Sequence, residues 1–156
     1  QKEINSMKIA IACDHAAPAL KAKVAEHLKS QGYEVIDFGT NTTDSVDYPD
    51  YALKVAEAVA GKQADLGILI CGTGIGMTIA ANKVKGIRCA LCSDTFSAHA
   101  TREHNDANIL AFGERVVGEG LALDIVDAFV KTKFSNAPRH IARINKITAI
   151  EQKYFK

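Results

Sequence analysis

The run Ile68-Leu69-Ile70-Cys71-Gly72-Thr73-Gly74-Ile75-Gly76 most restricts how this chain can fold. Continuous apolar residues without polar alternation predict a strand buried on both faces, which is a central strand of a parallel sheet. Gly72, Gly74 and Gly76 then let the backbone turn tightly and bring its N–H groups close to a ligand. A helix is expected from about residue 76 to 84, because Met77, Ile79, Ala80 and Ala81 are compatible with one. Cys71 therefore stands near a helix N-terminus, where unpaired amides and the helix dipole favour negative charge on sulfur or on a neighbouring anion.

The rest of the chain supplies the layers such a strand requires. Residues 8–13 read as the first strand, followed by a helix beginning near Pro18 with a buried stripe of Leu20, Val24 and Leu28 and an end at Gly32. A strand over 34–38 leads into a polar loop containing Asp47-Tyr48-Pro49, and a helix over about 51–60 precedes the central strand. Beyond the glycine loop come a cysteine-containing strand over 86–92, a helical stretch through about 98–102 and a turn at His104-Asn105-Asp106. A strand over 108–112 and a helix over about 119–131, with Leu121, Ile125 and Phe129 inward, continue the alternation. A last helix runs from about Pro138 and carries Ile141, Ile144, Ile147 and Ile150. Alternating strands and helices predict an α/β protein with a parallel sheet of about five strands and helices on both faces. Ligands of such sheets bind beyond the carboxyl ends of the strands, where Asp14, His15, Cys71 and Gly72 fall.

The length of 156 residues fits a single domain, expected over 7–156, with residues 1–6 an extension or cloning remnant. Lysine plus arginine (19) nearly balances aspartate plus glutamate (18), so the charge gives no case for nucleic acid or an anionic membrane. No apolar run approaches the roughly 20 residues of a membrane span and no signal peptide is visible, so a cytoplasmic protein is expected. Cys13, Cys71, Cys89 and Cys92 lie in or beside apolar runs and read as reduced thiols. Cys89 and Cys92 match a C-x-x-C spacing, but on a strand residues three apart face opposite ways, so the sulfurs would not converge. Asn41-Thr42-Thr43 formally matches a glycosylation acceptor and reads as a polar loop.

The glycine loop fits none of three familiar phosphate cradles. Met77 stands where a P-loop or a dinucleotide fingerprint beginning at Gly72 requires glycine, and where a cysteine phosphatase requires arginine. What remains is a thiol beside glycine amides and the Thr73 hydroxyl, suited to removing a proton from carbon and holding the oxyanion formed. A buried cysteine packing as a small hydrophobe is the plainer alternative. His104, among Arg102, Glu103, Asn105 and Asp106, is a candidate second acid or base, or a surface histidine. Arg139 and Arg143, four apart on a helix, face the same way and could clamp a phosphate; a solvated basic face is the competing reading.

These residues, together with Cys13-Asp14-His15, Asp47-Tyr48-Pro49, Ala80-Ala81-Asn82-Lys83, His104-Asn105-Asp106-Ala107-Asn108, Gly113-Glu114-Arg115-Val116-Val117 and Arg139-His140 through Arg143, resemble the type B ribose-5-phosphate isomerases. That sugar-phosphate isomerase family also includes galactose-6-phosphate isomerase subunits, and the resemblance covers about residues 7–154. It implies a three-layer α/β/α sandwich, Rossmann-like, with the C-terminal helix packing toward a partner subunit. It further implies Cys71 as the base that moves a proton between C1 and C2 through a cis-enediolate. Thr73 and the amides of Gly72, Gly74, Ile75 and Gly76 would hold the developing charge. His104 would open the furanose ring, assisted by Asp14 and Tyr48; Asn105 and Arg115 would contact the substrate, and His15, Arg139 and Arg143 its phosphate. The family forms dimers with active sites at the subunit interface, so a homodimer or a dimer of dimers is expected, and no metal or organic cofactor is implied. The chain departs from the pattern at Ala16-Ala17-Pro18, where a glycine commonly follows Asp-His and one residue. Some relatives replace the cysteine with a glutamate near the end of the loop, whereas here Cys71 is present and Met77 is no acid.

The expected activity is thus interconversion of ribose 5-phosphate and ribulose 5-phosphate in the non-oxidative pentose phosphate pathway. A hexose 6-phosphate isomerase, acting on allose or galactose 6-phosphate, shares the same chemistry. A non-catalytic sugar-phosphate sensor is the alternative from another class.

Overall fold

The computed structural model describes residues 7–156, so the expectation for residues 1–6 lies outside the described residues. Five strands, β1 (Lys8–Cys13), β2 (Glu34–Asp37), β3 (Leu66–Cys71), β4 (Cys89–Leu91) and β5 (Ile109–Gly113), form one sheet in the order β2-β1-β3-β5-β4. Every pairing is parallel. All six residues of β3 and all five of β5 are buried, as continuous apolar strands require when helices cover both faces.

Among the described residues five helices provide the cover, α1 (Pro18–Ser30), α2 (Tyr48–Ala60), α3 (Ile75–Ala81), α4 (Thr95–Asn105) and α5 (Glu119–Lys131), and a sixth, α6 (Pro138–Tyr154), packs outside them against α4. Successive strand residues point to opposite faces, and this splits the core in two. Ile9, Ile11, Ile68, Ile70, Leu110 and Phe112 pack with α1, α4 and α5. Ala10, Ala12, Leu69, Cys71, Ile109 and Ala111 pack with α2 and α3. Small residues on the second face let α2 approach the sheet closely. A Cβ built on Gly67 would lie 2.6 Å from Val55 Cγ1 and 3.0 Å from Ile109 Cγ1. No helix among the described residues is long and apolar enough to cross a membrane.

The structure shifts several expected boundaries. The second helix begins at Tyr48 instead of about 51, because Pro49 sits in its first turn, where its fixed φ and missing N–H are tolerated. The third helix ends at Ala81, short of 84: the Asn82 carboxamide turns aside to accept from Cys89 N–H (2.8 Å) and donate to Cys89 O (3.0 Å). His104 and Asn105 do not form a turn; α4 continues through both and ends at Asp106, which adopts the left-handed conformation at φ 47°. Cys89 and Cys92 lie in the two different core layers, as strand geometry predicts, and all four cysteines are free. The last helix, α6, buries only His140 and leaves Ile147 (46%), Ile150 (61%) and Tyr154 (70%) exposed.

Gly67→Ala is expected to destabilise the fold by about 1–3 kcal/mol, because the stiff β-branched Val55 and Val59 cannot yield without moving α2. A lowered urea midpoint with an unchanged m-value is the result to look for.

Candidate functional site

The site grows from two neighbouring strands. Cys13 of β1 is in register with Ile70 of β3, and Asp14 N–H donates to Ile70 O at 3.2 Å. The chain turns one way from β1 to β2 and the other way to β3, so the two strand ends flank a topological switch point. Asp14 and Cys71 emerge there side by side. Asp14 is 8% exposed and its Oδ1 accepts from Ala16 N–H at 2.9 Å, which fixes the carboxylate at the strand end.

Beyond Cys71 the glycine loop lies flat on β5. A Cβ on Gly113 would meet Thr73 Cα at 2.6 Å, and one on Gly74 would meet Phe112 Cα at 2.9 Å. Gly74 also sits at φ 81°, so the position excludes a side chain on two grounds. The tight turn brings Gly74 N–H to Cys71 Sγ at 3.1 Å, and Ile75 N–H donates to Thr73 Oγ1 at 3.2 Å. The Tyr48 ring from α2 rests on Gly76, where a Cβ would collide with its Cε1 edge. Arg115 N–H donates to Gly72 O at 3.0 Å, and its side chain passes over Gly72. Met77 is fully buried in the core beneath the loop. Its apolar side chain there helps hold α3 against α2 and leaves the loop without an acid.

Asp14, Tyr48, Cys71, Gly72, Thr73, Ile75, Gly76 and Ile79 line an open cleft of about 410 Å³, within the usual range for small-molecule sites. His15 follows Asp14; its Nδ1 accepts from Val46 N–H at 3.2 Å, which puts the proton of the neutral ring on Nε2 as a donor. The other thiols are unsuited to acid–base work. Burial pushes Cys13 and Cys89 up to about 12 and Cys92 up to about 11.

The remaining expected residues gather elsewhere. Because α4 runs back antiparallel to the strands, its last turn carries His104 and Asn105 to the amino-terminal edge of the sheet, opposite Cys71. There His104 lies against His140 of α6, with ring centroids 4.5 Å apart and the planes tilted by 37°. Arg139 and Arg143 flank His140 on the same helix and are exposed. Asn105 lines a separate groove with Asn82, Arg88, Ile147 and Ile150. One chain therefore unites Asp14, His15, Tyr48, Cys71, Thr73, the loop amides and Arg115, and holds His104, Asn105, Arg139 and Arg143 apart from them.

Two buried polar residues had no role assigned from the sequence. His140 is buried, its Nδ1 lies 2.6 Å from Ser135 Oγ, and burial together with the charges of Arg139, His104 and Arg143 lowers its pKa. Lys21, 1% exposed, lies on the inward stripe of α1, where a lysine beside Leu20 and Val24 was the available signal. Among the described residues no group of three histidine, cysteine, aspartate or glutamate side chains is arranged to hold a metal ion.

Comparison with known proteins places this architecture. The family model described as Ribose/Galactose Isomerase matches residues 9–147. Ribose-5-phosphate isomerase B of Escherichia coli (strain K12) is 53% identical over 146 residues, covering 94% of this chain and 97% of its own. A structure of Clostridium thermocellum ribose-5-phosphate isomerase B superposes with a TM-score of 0.93 at 59% identity, covering 95% of this chain and 99% of that one. The Mycoplasma genitalium ribose-5-phosphate isomerase B, solved with bound ribulose-5-phosphate, gives a TM-score of 0.89 at 43% identity, with 94% and 97% covered. With the sheet, the loop and these likenesses in agreement, the chain belongs to the ribose/galactose isomerase family, a family of isomerases.

Proposed function

We propose that the protein interconverts ribose 5-phosphate and ribulose 5-phosphate, as a soluble cytoplasmic enzyme of the non-oxidative pentose phosphate pathway. The observation that carries this reading is the Cys71 sulfur at the end of β3, held by Gly74 N–H at 3.1 Å and facing a cleft shared with Asp14, Tyr48 and Thr73. In the proposed reaction the sugar is first opened, with His104 and Asp14 moving the protons and Tyr48 assisting. The Cys71 thiolate then takes the proton from C2 of the aldehyde, leaving a cis-enediolate whose charge meets the Thr73 hydroxyl and the loop amides. Return of that proton to C1, with transfer of the hydroxyl proton from O2 to O1, gives the ketose. Only protons move, so the scheme calls for neither redox cofactor nor metal.

His104, Asn105, Arg139 and Arg143 join the cleft from a second copy in this scheme. Two features support a homodimeric site: these residues lie at the opposite sheet edge from Cys71, and α6 leaves an apolar stripe uncovered within its own chain. His15, Arg139 and Arg143 then hold the phosphate, and Arg115 and Asn105 hold sugar hydroxyls. The description of the family, which names galactose beside ribose, favours one second reading, a hexose 6-phosphate isomerase.

A turnover panel tests the substrate. The expected outcome is a kcat/KM for ribose 5-phosphate at least roughly tenfold above those for allose and galactose 6-phosphates, since one added carbon misaligns the phosphate anchor and the base; a hexose preference would reverse the reading. Cys71→Ala is expected to lower kcat by about 10²- to 10⁴-fold with little change in stability, and wild-type turnover in that variant would remove the thiol from the mechanism. The shared site makes a sharper prediction. Co-refolding Cys71→Ala with His104→Asn, each inactive alone, should restore about a quarter of wild-type activity, because half the dimers are mixed and one of their two sites is intact. No recovery, with mixed dimers verified by mass, would put both residues in one chain's site.

A further inference from the structure

Lys21 is a fully buried charge that the proposed chemistry does not use. Its ammonium donates to Asp37 Oδ1 at 2.6 Å, Asp37 Oδ2 at 2.8 Å and Asn41 Oδ1 at 2.6 Å, which satisfies all three of its N–H groups. Asp37 ends β2, and its Oδ1 also accepts from Gly39 N–H at 2.8 Å. One buried cation thus ties α1 to the end of an edge strand and to the loop that follows.

That loop, residues 38–47, runs along the carboxyl edge of the sheet beside the cleft. Its first part is laced to β1: Cys13 N–H donates to Gly39 O at 2.8 Å and Thr40 N–H to Cys13 O at 2.9 Å, one residue before Asp14. Its last part donates from Val46 N–H to His15 Nδ1 at 3.2 Å and leads directly into Tyr48, whose ring lines the cleft. Between these anchors residues 41–45 are exposed, and the Asn41 link to Lys21 fastens the start of that stretch.

Stability alone is a poor reason for this arrangement. Removing an ammonium from water is heavily penalised, and an apolar side chain of similar volume generally serves a core as well or better. What an ammonium provides and methionine does not is a fixed direction toward three acceptors on two segments. We propose that Lys21 is a positioning residue for the cleft: it holds loop 38–47, and through it the His15 ring and Tyr48, in the geometry that binds substrate. Lys21 itself lines no part of the cleft. The inference rests on the proposed roles of His15 and Tyr48 as substrate contacts.

Lys21→Met keeps the volume and removes the charge and donors; Asn41→Ala removes only the link to the loop at an exposed position. Each full-length variant is compared with wild type by urea unfolding, by kcat and KM for ribose 5-phosphate, and by amide hydrogen exchange at Thr40 and Val46. For folded Lys21→Met the expected result is a KM raised at least roughly tenfold with kcat changed less than about threefold, and faster exchange at both amides. Asn41→Ala should move KM the same way by roughly threefold. A purely structural lysine would lower the urea midpoint and leave KM and local exchange of the folded protein at wild-type values, and that result overturns the proposal. If Lys21→Met does not fold, Asn41→Ala decides: raised KM supports the clamp and wild-type KM refutes it. Failure of the wild-type protein to turn over ribose 5-phosphate would overturn the substrate reading instead, and the exchange measurements would still judge Lys21.

Discussion

Everything at the cleft depends on β3 being hydrogen-bonded on both edges and covered on both faces. A strand so enclosed has no freedom in twist or register: Cys13 is opposite Ile70 on one side and Gly113 opposite Cys71 on the other. The first place where its chain can leave the sheet is Gly72, and there it must turn sharply to avoid the backbone of β5. The glycines follow from that constraint. Gly74 faces the Phe112 backbone and Gly113 the Thr73 backbone at distances that admit no Cβ, while Gly76 lies under the side chain of Tyr48. Reactive geometry at Cys71 is therefore set by backbone packing, which is harder to perturb than a side-chain rotamer.

A second constraint acts from the side. The edge strand β2 is only four residues long, and its end carries the long loop toward Tyr48. Backbone pairing with β1 secures the loop near Cys13, and His15 meets it again at Val46. Lys21 adds a charged link beneath it. Asp37 is about one-third exposed while Lys21 is buried, so the carboxylate keeps part of its hydration and the pair is less severely desolvated than one fully enclosed.

The direction of the helices has the opposite consequence for the other candidate residues. In a parallel sheet each returning helix must travel back to the amino-terminal edge, and α4 ends there with His104 and Asn105. The short segment after α5 stays at that edge, where Ser135 N–H donates to Glu103 O, and α6 starts beside it with His104 against His140. The same topology that presents Cys71 on one edge thus collects a basic, histidine-bearing cluster on the other.

Strand positions, the parallel α/β class and the glycine loop were legible in the sequence because each is written in local patterns: unbroken apolar runs, four-residue helical spacing, and glycines where a strand ends. The opposed faces of Cys89 and Cys92 followed from the same period-two rule. Helix limits were less so. Asn82 ends α3 by pairing with Cys89 seven residues away, which no local pattern encodes, whereas the stop at Asp106, a residue type that tolerates the left-handed conformation, was visible as a turn signal and only its onset was placed two residues early. Strand order, the burial of Lys21 against Asp37 and Asn41, the contact of His104 with His140, and the separation of the candidate residues onto two edges were decided by the tertiary structure alone. Each of these joins residues far apart in the chain, and its geometry exists only once the strands have paired and the helices have returned.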